Sequence, residues 1–173
     1  MRLTLATLMI VALAGMAVAL GGCNNGLDQQ SATKVMSSAL TGTGAAQMQL
    51  TPKNGATSAT LDADIQNPDG SGTAHVTGAA TQTGSGWNVT FDITFSHWAD
   101  LATGVTLDGA LHENASFTTM SPFVGQVSVT GNVTASGAVQ GSVDFDMNVS
   151  YSPTQYQVAG HVGGASVDAT VNL

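Results

Sequence analysis

From Thr57 to the C-terminus the apolar residues recur at every second position, and that period restricts the fold more than any other feature of the chain. Side chains at i and i+2 share a face in an extended strand but not in a helix. Ala59, Leu61, Ala63 and Ile65 alternate with Thr60, Asp62, Asp64 and Gln66. Trp87, Val89, Phe91, Ile93 and Phe95 alternate with Asn88, Thr90, Asp92, Thr94 and Ser96. Val139, Gly141, Val143, Phe145, Met147, Val149 and Tyr151 form the longest such run. Shorter ones begin at Ala74, Val105, Val127, Tyr156 and Val167. Asn67-Pro68-Asp69-Gly70, Gly84-Ser85-Gly86, Ser136-Gly137 and Pro153 supply turn residues between them. The pattern predicts about eight strands joined by short connections, hence an antiparallel meander with one apolar and one polar face.

A spaced glycine runs through the strands as Leu107-x-Gly109-x-Leu111, Val129-x-Gly131-x-Val133, Val139-x-Gly141-x-Val143 and Val158-x-Gly160-x-Val162. Each glycine has the parity of its apolar neighbours and is expected on the inner face. Glycine weakens a strand unless the backbone bends or another element comes close. Ahead of the strands, Ala32, Val35, Met36, Ala39 and Leu40 fall on one helical face, with Ser31, Lys34, Ser37 and Ser38 opposite. Asp28 or Ser31 is placed to cap this helix, and Gly42 and Gly44 to end it. The expected fold is mainly β: a strongly curved sheet or small barrel, with one N-terminal amphipathic helix packed on its concave side.

The N-terminus has a different character. Met1-Arg2 precedes an apolar stretch from Leu3 to Leu20, broken only by Thr4, Thr7 and Gly15, and Leu20-Gly21-Gly22-Cys23 follows. This segment resembles the lipobox of bacterial lipoproteins: an aliphatic residue, two small residues and a cysteine at the end of a signal-type stretch. Cys23 is the only cysteine, so no intrachain disulfide can form. The resemblance implies that Cys23 is lipidated, that the Gly22–Cys23 bond is cut, and that the new amine is acylated. Each buried methylene contributes about 0.8 kcal/mol, so three acyl chains hold a domain firmly to a membrane. Asn24, where an aspartate would favour retention in the inner membrane, implies the outer membrane. The expected organisation is a signal peptide over 1–22, a lipidated polar tether over 23–30 and one β-rich domain over 31–173. An uncleaved signal anchor is the rival reading, with an apolar stretch near the lower limit for a bilayer span.

After cleavage at Cys23, Lys34 and Lys53 face eleven acids, a net charge of −9. Such a chain repels phosphate, which argues against nucleic acid as a partner. Nine aromatic residues are too few for the two girdles of a membrane-spanning β-barrel.

Of the histidines, His75, His112 and His161 have outward parity. His97, with inward parity, sits beside Trp98 and Asp100. None is spaced from another as zinc ligands on one element are, and no partnered nucleophile is identifiable. Asp62, Asp64, Asp92, Asp108, Asp144, Asp146 and Asp168 have outward parity and are expected to keep the polar face soluble. A calcium site from Asp144, Asp146 and a neighbouring strand is the sharper alternative. Asn88, Asn114, Asn132 and Asn148 head Asn-x-Ser/Thr triplets, which arise readily in so polar a chain. The sequence therefore points to a lipid-anchored envelope protein whose domain is structural or interaction-forming, without catalysis, cofactor or metal. A carrier of a hydrophobic ligand is the alternative, and an enzyme has the least support.

Overall fold

A computed structural model describes residues 26–49, 56–67, 71–84, 86–120 and 123–172. One helix, α1 (Gln29–Gln49), precedes eight strands: β1 (Ser58–Gln66), β2 (Ser71–Thr83), β3 (Gly86–Asp100), β4 (Val105–Met120), β5 (Phe123–Gly137), β6 (Gly141–Tyr151), β7 (Gln155–Val162) and β8 (Ala165–Asn172). They form one sheet in the order β1-β2-β3-β4-β5-β6-β7-β8, every neighbouring pair antiparallel. The expected meander is therefore the observed one. β1 and β8 do not pair with each other, so the sheet is open and the small-barrel alternative falls.

The alternation sorts the side chains as anticipated. Val76, Ile93, Leu107, Val133, Val143, Val158 and Val162 are fully buried on the inner face. Asp62, Asp64, Asp92, Asp144, Asp146 and Asp168 are exposed on the outer one. Helix α1 lies against β1, β3 and β4 and buries Ala32, Val35, Met36 and Ala39. Asp28 caps it: its Oδ1 accepts the Ser31 N–H at 2.8 Å. That bond, with the Ser31 side chain, holds the Asp28 carboxyl below its ordinary pKa. Among the described residues no helix is long and apolar enough to cross a membrane.

Four expectations change. First, α1 does not end at Gly42 or Gly44 but continues to Gln49. A Cβ on Gly42 would stand 2.3 Å from Cε1 of Phe95, so this glycine admits the Phe95 ring against the helix backbone rather than terminating the helix. Second, Ser38, one turn earlier on the same side, is fully buried instead of facing solvent.

Third, His97 points outward, with its side chain 83% exposed. A bulge in β3 puts Ser96 and His97 opposite the single Asp108 between Phe95↔Gly109 and Trp98↔Leu107. His97 takes a φ of +52°, and the Asp108 Oδ1 accepts the N–H this frees, at 2.8 Å. The extra residue reverses parity, so Trp98 rather than His97 enters the core, 5.8 Å from the Phe95 ring.

Fourth, the repeat glycines serve the backbone rather than the interior. Gly109, Gly131, Gly141 and Gly160 have φ of +126°, +143°, +131° and +142°, values essentially closed to other residues. A Cβ at Gly109, Gly131 or Gly160 would come within 2.7, 2.4 or 2.0 Å of a carbonyl oxygen on the adjacent strand. Gly141 is exposed and meets nothing within 4 Å, so it does not border a crowded interior.

Candidate functional site

Gly22 and Cys23, the expected cleavage and lipidation residues, lie outside the described residues. The structure does show where the chain next to them is fixed. The Leu27 N–H donates to the Gly163 carbonyl at 2.8 Å. A Cβ on Gly26 would stand 2.3 Å from that same oxygen, so Gly26 lies flush on the β7–β8 turn. The Gly163 N–H in turn donates to the Asp144 carbonyl at 2.8 Å, tying the turn to β6. The stretch 26–30, expected as part of the tether over 23–30, is the part of it that the structure describes. Gly26 and Leu27 are docked and α1 begins at Gln29.

The β3–β4 turn stands at the same end of the sheet as the β7–β8 turn, because alternate connections of a meander share an end. Its form follows from Asp100, which is buried. The Asp100 carboxylate accepts the Ala102 N–H and the Thr103 hydroxyl, each at 2.9 Å, and its carbonyl accepts the Gly104 N–H at 2.9 Å. Gly104 closes the turn at φ +69° and accepts the Ala138 N–H from the β5–β6 turn at 2.9 Å. This frame holds Leu101 outward, 77% exposed, the only large hydrophobic residue so exposed among those described.

The outer face carries a second arrangement. Three histidines stand directly across from an aspartate on the next strand, as Asp64↔His75, Asp92↔His112 and Asp146↔His161. His75 Nδ1 lies 2.9 Å from Asp64 Oδ1, and His112 Nδ1 lies 2.7 Å from Asp92 Oδ1. Asn114 Nδ2 is 2.8 Å from His112 Nε2. An amide donating there makes Nε2 the acceptor and leaves Nδ1–H to donate to Asp92. Such exposed pairs contribute about 0–1 kcal/mol each.

The third row extends to Ser166 on β8, which faces His161, so an aspartate, a histidine and a serine stand on adjacent strands. Among the described residues no side-chain hydrogen bond joins these three. All three are exposed, on an open face that does not exclude water from an imidazole. No group of three or more His, Cys, Asp or Glu among the described residues is placed to hold a metal ion. Asp144, half of the calcium alternative, instead accepts a hydrogen bond from Asn132.

One acid had no place in the sequence reading. Glu113 is 2% exposed, on the inner face of β4 between Phe91 of β3 and Val129 of β5. Counting parity on from Leu111 through Glu113, Ala115 and Phe117 was the available signal. Its charge acts on Tyr151, whose hydroxyl is pushed up to about 12 by burial first, then by Glu113 and Tyr156. Two further buried polar atoms, Ser38 Oγ and Trp98 Nε1, have no hydrogen-bond partner. Set against known proteins, this chain matches no family model, no curated protein and no solved structure.

Proposed function

We propose that this chain is a lipid-anchored envelope protein, held to the membrane through Cys23, whose β-domain is a structural or interaction module without catalysis. One observation carries the reading. The Leu20-Gly21-Gly22-Cys23 segment closes an apolar stretch and ends three residues before Gly26, which is docked with Leu27 on the domain. A lipid on Cys23 attaches the folded domain directly to a membrane, where a chance cysteine would leave a reactive thiol in an oxidising compartment. Asn24, rather than an aspartate, favours the outer membrane as the destination. The inner face supports a packed domain over a carrier of a hydrophobic ligand. Phe91, Phe95, Trp98, Phe117, Phe145 and Met147 are all buried there, as the side chains of a closely packed interior are.

The test is intact-mass analysis of the chain and of its Cys23→Ser variant, both expressed in a bacterium that processes lipoproteins. The parent is expected to begin at Cys23 and carry acyl mass, and the variant to keep its first 22 residues and carry none. A variant that matures to the parent's polypeptide length and still partitions into detergent refutes the anchor.

A further inference from the structure

We propose that the end of the sheet formed by the β3–β4, β5–β6 and β7–β8 turns rests on the lipid surface, and that Leu101 enters the acyl region. The proposal rests on the reading of Cys23 as the lipidated residue and adds an orientation and a second point of contact. The first ground is reach. Gly26 is fixed on the β7–β8 turn, and Cys23 is three residues away. Three extended residues span at most about 10 Å. A lipid on Cys23 therefore holds this end of the domain at the headgroups, and the domain cannot turn its opposite end to the membrane.

The second ground is the exposed leucine. An isolated apolar side chain on a protein surface is ordinary, but Leu101 is neither mobile filler nor part of a scattered set. It is the only large hydrophobic residue so exposed among those described, and it stands on the end that reach alone assigns to the membrane. The Asp100 carboxylate, the Thr103 hydroxyl and Gly104 brace the turn that presents it. Leu101 then loses water contact to the acyl chains, and the lipid and the leucine together fix the tilt of the sheet.

The experiment uses the acylated protein, in which the Cys23 sulfur is occupied by lipid. Leu101→Cys and, at the opposite end, Thr154→Cys in the β6–β7 turn each supply one free thiol for an environment-sensitive fluorophore. Both sites are exposed, so labelling does not disturb packing. The proteins are placed in phosphatidylcholine vesicles with and without lipids bearing a nitroxide at a shallow acyl position. The Leu101 label is expected to shift to the blue and lose emission to the nitroxide, and the Thr154 label to do neither. Labels that behave alike, or a quenched Thr154 label alone, overturn the proposed orientation. Acyl mass and flotation with the vesicles are measured on the same samples. A chain that floats with its acyl mass while the Leu101 label stays in water refutes this proposal only. A chain without acyl mass refutes the anchor and the orientation together.

Discussion

Replacing Gly131 and Gly141 separately by alanine isolates what the repeat glycines do. Both have a φ near +130° to +143°, so alanine strains the backbone at either position, by about 1–3 kcal/mol. Alanine also narrows the unfolded ensemble, which offsets roughly 0.4–1 kcal/mol of that loss. The surroundings then separate the two. At Gly141 a Cβ meets nothing within 4 Å, so the strained backbone is the whole cost. At Gly131 it would lie 2.4 Å from the Ala110 carbonyl oxygen and 3.0 Å from the Leu111 Cα. Both atoms are main chain of a hydrogen-bonded strand and cannot swing aside, so β4 and β5 must part. Forced expansion of a packed region costs roughly a further 1–3 kcal/mol. Gly131→Ala is therefore expected to lose about twice the stability that Gly141→Ala loses. Urea denaturation followed by far-ultraviolet circular dichroism reads this directly, with an unchanged slope showing that the folded state is otherwise preserved. Equal losses would refute the close strand approach, and unchanged midpoints in both variants would refute the strained backbone itself.

Ser38→Ala removes a buried hydroxyl that has no partner and adds helix propensity, so its denaturation midpoint is expected to rise by about 1 kcal/mol in stability. A lower midpoint would mean that the hydroxyl is satisfied in solution. Tyr151 holds its proton more tightly when folded than unfolded, so its contribution is intact below about pH 10 and is lost as pH rises through about 12. Ultraviolet titration is expected to show a late phenolate component that Tyr151→Phe lacks, and a component unchanged by that substitution would contradict the assignment.

The strands were legible because one face is buried and the other is wet, which writes the fold into the sequence as a period of two. The departures have local causes that a period does not encode. The bulge at Ser96–His97 adds a residue whose frame comes from Asp108, eleven positions away, so parity misplaced His97 and Trp98. The second half of β4 was hidden because Glu113 and Ala115 interrupt its apolar series, although Leu111 and Phe117 bracket them in phase. Gly42 has the chemistry of a helix stop, yet it lies within α1, where its missing side chain admits the Phe95 ring against the helix backbone. In the candidate anchor region, the motif was readable up to Cys23. The docking of Gly26 and Leu27 depends on the carbonyl of Gly163, which lies far along the chain and has no local signature.

The order of the strands in the sheet also sets the order in which the domain can assemble. Each strand pairs only with its neighbours in sequence, so none waits for a partner made much later. Helix α1 is the exception. It is synthesised before every strand, yet its apolar face packs on β1, β3 and β4. The helix is therefore without its full apolar support until the chain has been made through Met120, the end of β4. From that point β1 to β4 can close on it, and β5 to β8 extend the sheet one hairpin at a time. The last of those hairpins, β7–β8, carries the Gly163 carbonyl that receives Leu27. Leu27 thus gains this contact only when the chain has been made through Gly163, after seven of the eight strands.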